Sequence, residues 1–174
     1  MANSKLTYID GDIFAAPPNA ILIHACNTLG SWGAGIALAF QFRYPAAFAV
    51  YKAHCKAHSD NVDGLIGTCL IIRGEPVTEG GKGHDIACLF TSRAYGKYKD
   101  SAANILNATR GAVKDLLQQN GEGKSLHAWW VCKCRNWWVL WHHMWQSNQF
   151  WEVRRALGVD SSYSWWAGGW NDCI

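Results

Sequence analysis

The chain has 174 residues, a length that suits one domain and leaves room for a full hydrophobic core. Hydrophobic residues make up 49% and charged residues 17%, which indicates a globular rather than a disordered protein. The net charge of +3 comes without a dense stripe of Lys and Arg, so we expect no direct nucleic-acid partner. We expect no secretory leader and no membrane span. Seven cysteines without paired spacing favour reduced thiols, as in a cytoplasmic or nuclear protein.

Strands and helices alternate in the first part of the chain. Residues 5–9 predict a short strand, and the apolar run ILIHAC at 21–26 predicts a buried one. A helix that begins among glycines is predicted over 33–45 and ends near Pro45. The apolar spacing over 46–58 predicts a second helix.

The pattern continues to about residue 120. Strands are predicted at 65–72 and 85–90, with a glycine-rich loop at 73–84 between them. An amphipathic helix is predicted over 101–120, with Ser101 as its N-cap. Strands that alternate with helices in this way predict a layered α/β fold with a mixed sheet.

A glycine-rich turn follows the second predicted strand. Gly30, Gly33 and Gly35 stand between that strand and the next helix. Glycine lets a backbone approach a ligand closely, and a helix N-terminus presents unpaired N–H groups and a positive dipole end, so such a turn can hold a phosphate. The spacing matches neither the dinucleotide fingerprint nor the Walker pattern. A plain strand-to-helix turn is the alternative interpretation.

His24 and Asn27 mark the carboxyl end of the same strand. Ligands of open α/β sheets bind outside the carboxyl ends of strands. A histidine there can act as acid or base near neutral pH, and an asparagine can orient a ribose hydroxyl or a water. The alternative for His24 is a hydrogen-bonded residue of the core.

Other phosphatase chemistries fit less well. Asp10 and Asp12 have the spacing of the D-x-D motif of haloacid-dehalogenase-type phosphatases, but Phe14 stands where that motif has Thr or Val. A polar turn is therefore the better interpretation of this pair. Neither Cys26 nor Cys88 has the Arg that a C-x5-R phosphatase needs.

The last third of the chain contains four candidate zinc ligands. Cys132, Cys134, His142 and His143 carry ligand atoms, but a structural zinc site normally takes two tight pairs at characteristic spacing. We therefore expect no metal ion, and we expect no other cofactor.

Several segments together resemble the macrodomain family, and most closely its branch of ADP-ribose 1''-phosphate phosphatases. HACN and GAGI stand where a generic macrodomain shows N-A-A-N and G-G-G-V. The likeness covers roughly residues 1–120 and implies a three-layer α/β/α fold with a mixed central sheet. The segments that carry it are TYIDGDIF, ILIHACN, GSWGAGIA, RYP, GTCLII, CLFTS and the helix at 101–119.

The resemblance also implies roles for individual residues. Asp12 would accept a hydrogen bond from the adenine amino group, and Asn27 would hold the distal ribose. His24 would be the catalytic acid or base, and residues 32–37 would form the first phosphate loop, with Ala34 in place of its middle glycine. The predicted catalytic residues are His24 and Asn27. The predicted substrate-binding residues are Gly11, Asp12, Ile13, Ala25, Cys26, Asn27, Ser31, Trp32, Gly33, Ala34, Gly35, Ile36 and Ala37.

The tail at 121–174 does not match the family. Ten of the eleven tryptophans lie between Trp129 and Trp170. The family's second phosphate loop, close to I-N-S-G-x-F-G-V-P-W, is absent, yet codons for residues 148–158 permit I-N-S-G-K-F-G-V-P-W-E when read one nucleotide later. We therefore interpret the tail as family coding sequence read out of frame, with a divergent tail as the alternative. The last strand, second loop and final helix would then be missing or disrupted.

Three functions fit these residues. The first is hydrolysis of ADP-ribose 1''-phosphate, a by-product of tRNA splicing, by a metal-free phosphoric monoester hydrolase. The second is hydrolysis of mono-ADP-ribosyl protein or O-acetyl-ADP-ribose in the same cleft. The third is non-catalytic ADP-ribose binding. The first is favoured because of His24, and a monomer with a small-molecule ligand is expected.

Overall fold

The computed structural model describes residues 6–18, 20–75, 83–121, 124–128 and 163–167, and of 6–10, 75 and 163–167 it describes the backbone alone. The helices are α1 (Gly35–Arg43), α2 (Pro45–Ala57) and α3 (Ala102–Asn120). The strands are β1 (Leu6–Asp10), β2 (Ile21–Asn27), β3 (Cys69–Glu75), β4 (His84–Ser92), β5 (Leu126–Ala128) and β6 (Tyr163–Ala167).

The sheet around β2 is mixed. Its strands lie in the order β3-β4-β2-β5, with β2 parallel to both neighbours and β3 antiparallel to β4. A second, two-stranded sheet pairs β1 with β6 in parallel, and β6 lies against β5. Parallel neighbours bring the carboxyl ends of β2 and β4 to one edge, where a ligand of an α/β sheet would bind.

Each face of the four-stranded sheet carries its own apolar layer. Side chains alternate along a strand, so Leu22 and Cys26 share one face of β2 and pack in a cluster with Phe40 of α1 and Tyr51 of α2. The other face buries Ile21, Ile23, Ala87 and Leu89 with α3, through Ala112 and Leu116. The predicted three-layer α/β/α fold is confirmed.

The predicted helices are confirmed with small shifts at their ends. Ser101 is the N-cap of α3, and its hydroxyl accepts a hydrogen bond from the backbone N–H of Asn104 at 3.3 Å. The strand predicted at 65–72 begins later, at Cys69, because the chain turns before it. Gly67 has a φ of +83°, and its backbone packs against Gly111 of α3.

The predicted division at residue 120 stays a prediction. One short strand beyond it, β5, belongs to the sheet, and Leu126 is 1% exposed. Cys132, Cys134, His142 and His143 lie outside the described residues, as does the segment 148–158. Among the helices in the described ranges, none has both the length and the hydropathy needed to cross a membrane.

Candidate functional site

The turn after β2 is built around the side chain of Asn27. Its Oδ1 accepts hydrogen bonds from the backbone N–H of Leu29 at 2.9 Å and of Ser31 at 3.4 Å. Its Nδ2 donates to the Ser31 carbonyl at 2.6 Å. Asparagine is suited to this because its amide can replace backbone groups in a turn. Asn27 therefore fixes the path of the predicted phosphate loop.

The N-terminus of α1 is exposed and carries no side-chain cap. Ala34 is the N-cap, no acidic residue stands in the first turn, and Gly33, Ala34 and Gly35 are exposed. The first turn of a helix has backbone N–H groups without intrahelical partners, and its dipole favours an anion. Gly35 has a φ of +57°, and no atom of the described residues lies within 4 Å of the position of a Cβ, so among these residues nothing blocks the approach of a ligand to the backbone. This segment can hold a phosphate group.

Trp32 points away from that exposed backbone and into the core. Its side chain is 1% exposed and stacks on Tyr51 with 5.0 Å between ring centroids. The indole Nε1 is buried without a hydrogen-bond partner among the described residues. If Trp32 contacts the substrate as predicted, the contact must therefore come from its backbone, because its ring is buried.

His24 is enclosed by aromatic rings. It is 2% exposed, stacks on Phe40 at 4.2 Å between centroids, and meets Trp32 edge-on at 4.7 Å. The imidazole thus lies beneath the turn, on the face of β2 that packs under α1. Its predicted catalytic role is not tested by this placement and stays a prediction.

Cys26 and Cys88 complete a buried group with His24. Their three ligand atoms lie within 4.8 Å of one another. The Cys26 sulfur lies 3.6 Å from Nδ1 of His24 and 3.7 Å from Nε2, so it is nearly equidistant from the two ring nitrogens. Three such ligand atoms could hold a metal ion, so the expectation that the chain binds none stays a prediction.

The two thiols of this group titrate differently. Burial opposes ionisation of Cys26, but a hydrogen bond from Cys88 and the charge of His24 lower its pKa to about 5. Burial raises the pKa of Cys88 well above its usual value. Proximity to Cys88 and His24 thus favours the ionised form of Cys26 and opposes the effect of its burial.

Asp12 lies after β1, at the start of a short helical turn, Ile13–Ala15. Its carboxylate accepts a hydrogen bond from the backbone N–H of Phe14 at 3.0 Å and lies 3.7 Å from the Arg43 guanidinium, whose carbon is 4.6 Å from the centre of the Phe14 ring. The side chain remains 54% exposed, so a carboxylate oxygen is accessible to a ligand. Arg43 ends α1, so the helix that begins after the predicted phosphate loop also contacts Asp12.

The remaining predicted residues are distributed between surface and core. Ala25 is exposed, Gly11, Ser31, Ile36 and Ala37 are half-buried, and Ile13 is fully buried. Of the predicted site residues, Asn27 and Ser31 contact each other in the turn. His24 contacts Cys26 and Trp32 in the core.

Two features near the turn were not predicted. Tyr51 donates a hydrogen bond from its hydroxyl to the Asn27 carbonyl at 2.6 Å. Thr28 binds the loop after β4, where its hydroxyl donates to the Arg93 carbonyl at 2.9 Å, and Arg93 in turn pairs with Asp63 and Asp100. The sequence carries no local signal for either contact, because the partners are 24 and 65 residues apart.

Solved structures with the same architecture are macrodomains. The macrodomain of Mycobacterium tuberculosis DarG superposes with a TM-score of 0.66 at 19% identity, covering 97% of this chain and 100% of that one. A macrodomain protein from Streptomyces coelicolor gives 0.63 at 20% identity, with 96% and 100% covered. Thermosipho africanus DarTG in complex with ADP-ribose gives 0.65 at 15% identity, with 100% of this chain and 46% of that one. The fold is that of a macrodomain.

Sequence relatives indicate a particular family among the macrodomains. Three fungal proteins named ADP-ribose 1''-phosphate phosphatase are similar to this chain. The protein from Chaetomium globosum is 50% identical to it over 120 residues, that from Meyerozyma guilliermondii 42% over 125, and that from Neosartorya fischeri 38% over 161. The alignments cover 67%, 68% and 75% of this chain, and 64%, 71% and 80% of those proteins. No protein-family model matches the chain. The chain belongs to the family of ADP-ribose 1''-phosphate phosphatases.

Proposed function

We propose that the protein hydrolyses ADP-ribose 1''-phosphate to ADP-ribose and inorganic phosphate, with water as the co-substrate. Identity of 50% to a relative that carries this name is the observation that supports the proposal most. The exposed, uncapped N-terminus of α1 after the Asn27 turn is the structural feature that suits a phosphorylated ligand.

Binding would use exposed groups at the carboxyl edge of the sheet. Asp12 has an accessible carboxylate that can accept from the adenine amino group. The backbone of Gly33, Ala34 and Gly35 would face the diphosphate. Asn27 still has a second Nδ2 hydrogen for the distal ribose, since its first is directed to Ser31.

His24 is assigned the acid–base step, in which a proton passes to the leaving ribose oxygen or from the attacking water. Its side chain is 2% exposed under the turn that Asn27 forms, so the access of the ring to the substrate is what a test must decide. A pH profile separates this role from a purely structural one. Loss of one limb of that profile in His24→Gln supports proton transfer, whereas an equal loss of rate at every pH assigns the ring to positioning.

The test of the proposed function is phosphate release from ADP-ribose 1''-phosphate in the presence of a chelator. We expect turnover that Asn27→Ala reduces and that Asp60→Asn, at an exposed position that makes no described hydrogen bond to the turn, leaves unchanged. Parallel reactions with mono-ADP-ribosyl protein and O-acetyl-ADP-ribose test the second function. Turnover of those esters without phosphate release would overturn the proposal, and binding of ADP-ribose without any turnover would make the chain a reader.

The proposal extends to the setting of the reaction. ADP-ribose 1''-phosphate arises as a by-product of tRNA splicing, and a monomeric enzyme of the cytoplasm or nucleus would meet it there. The four buried free thiols in the described part of the chain accord with a reducing compartment.

A further inference from the structure

Tyr51 joins α2 to both ends of the turn that follows β2. Its hydroxyl donates to the Asn27 carbonyl at 2.6 Å and lies 3.3 Å from Asn27 Oδ1. Its ring stacks on Trp32, with 5.0 Å between centroids and 19° between planes. The side chain is fully buried. Tyr51 of α2 therefore contacts Asn27, the first residue of the turn, and Trp32, which follows the turn.

The hydroxyl acts where β2 leaves its regular pairing with β4. The register between the two strands shifts between Cys26 and Asn27. Burial raises the pKa of Tyr51 above its usual value, so the hydroxyl stays protonated and remains a donor. The ring also stacks on Phe90 of β4 at 6.0 Å and 19°, which limits its movement. The donor is thus fixed relative to both strands.

We propose that Tyr51 is a positioning residue for the reaction, which holds Asn27 in the orientation that forms the turn and does not itself contact the substrate. This inference rests on the proposed function. Phosphoryl-transfer sites depend on placement, and a small displacement of a group at the reacting centre lowers the rate strongly. Tyr51→Phe keeps the ring that stacks on Trp32 at the start of the predicted phosphate loop, and the contacts of Asp12 are with Phe14 and Arg43, so most of the affinity for the adenine and diphosphate should remain.

The test is Tyr51→Phe, which keeps the stacked ring and removes the hydroxyl. We expect kcat to fall about tenfold while KM changes by less than about threefold, because an orienting contact is lost and the binding groups are kept. The matched control is Tyr44→Phe. Tyr44 is also buried, and its hydroxyl lies 2.8 Å from Nδ1 of His84, at the opposite end of β4. The control should keep kcat.

A double variant shows whether the effect passes through Asn27. In the Asn27→Ala background, Tyr51→Phe should cause a smaller loss of kcat than in the unchanged protein, because the bond to the main-chain carbonyl of residue 27 remains but the amide that it orients is gone. Full kcat in Tyr51→Phe, equal losses in Tyr51→Phe and Tyr44→Phe, or additive losses in the double variant would each overturn the proposal.

The NMR signals of the Asn27 side-chain amide give a readout that needs no turnover. Tyr51→Phe should shift them and speed their hydrogen exchange, and Tyr44→Phe should not. Unchanged amide signals would overturn the positioning role. Shifted signals in a protein that does not release phosphate would contradict the proposed function and leave the effect of Tyr51 on Asn27 standing.

Discussion

Asn27 shows how one side chain serves both the fold and the site. Its amide closes the turn through Leu29 and Ser31, and the same turn delivers the exposed backbone at the start of α1. Its position was predictable from the sequence because it follows an apolar strand and precedes three glycines. The orientation of its side-chain amide was not predictable, because the hydrogen bonds of the amide depend on how the chain folds back at Leu29 and Ser31.

Asp12 tests the proposed adenine contact. Asp12→Ala should weaken ADP-ribose binding about tenfold, the cost of losing a hydrogen bond to a charged acceptor. Calorimetry would measure the change. Asp12→Asn is the matched variant, because asparagine keeps the cap on the Phe14 N–H and loses the charge.

Asp10→Ala serves as the comparison for the two aspartates. We expect it to bind ADP-ribose and release phosphate like the unchanged protein. Loss of turnover in Asp10→Ala alone, together with a requirement for magnesium, would instead identify an aspartyl-phosphate mechanism and contradict the macrodomain site.

The face on which His24 lies illustrates a limit of sequence interpretation. Alternation along β2 places positions 24 and 26 together, but it does not tell which face of the sheet receives the ligand. In the structure that face packs under Phe40 and Trp32. The contacts come from residues 8 and 16 positions later, beyond the reach of a local pattern.

At the scale of elements, Asp85 joins three parts of the sheet. Its carboxylate binds Lys124 before β5 at 2.8 Å, Arg73 of β3 at 3.0 Å and the Gly74 N–H at 2.9 Å. Burial alone would raise its pKa, but the hydrogen bonds from Lys124 and Gly74 and the charge of Lys124 lower it. The folded pKa thus lies below the unfolded value, so the stabilisation is complete above about pH 3.9 and is lost as the pH falls through the folded pKa.

Asp85→Asn should therefore lower the free energy of unfolding at pH 7 by about 1–3 kcal/mol, the cost of a lost charged hydrogen bond. Urea unfolding at pH 7 and pH 3 would measure it, and the difference between variant and unchanged protein should shrink at pH 3. Asp60→Asn, at an exposed position, is the control. A difference that persists undiminished at pH 3 would contradict the linkage.

Close packing of α3 on the turn before β3 provides a second test. A Cβ on Gly111 would lie 2.8 Å from the Gly67 carbonyl oxygen and 3.3 Å from its Cα, and backbone atoms cannot move aside as a flexible side chain can. Gly111→Ala should therefore destabilise the fold by about 1–3 kcal/mol, although alanine favours an isolated helix.

Thermal unfolding would measure this cost. Gly83→Ala is the control, because no atom of the described residues lies within 4 Å of a Cβ placed there. A Gly111→Ala protein as stable as the unchanged one would show that α3 does not pack as closely as described. The contact between Gly67 and Gly111 also explains why the sequence predicted too early a start for β3, because a long-range contact leaves no local pattern. The helix α3 was predictable from its own apolar spacing and its Ser101 cap.

For the molecule as a whole, the sequence separates into a part that resembles a family and a part that does not. The resemblance predicted the layers, the mixed sheet and the family, all of which are confirmed over the first part of the chain. The domain division at residue 120 and the frame interpretation of the tail remain predictions. In the described ranges, β5 and β6 show that backbone after residue 120 contributes strands.

The most direct measurement compares phosphate release from ADP-ribose 1''-phosphate by two proteins at matched folded concentration. One is the chain as it stands, and the other carries the tail encoded one nucleotide later from codon 148, with its I-N-S-G-K-F-G-V-P-W-E loop. That loop would add backbone donors on the second side of the diphosphate and hold the distal ribose beside Asn27. We predict that the shifted tail raises turnover by a factor on the order of a hundred, the scale of losing one preorganised donor. Equal turnover would show that the tail is genuine, and absence of phosphate release from both proteins would contradict the phosphatase itself.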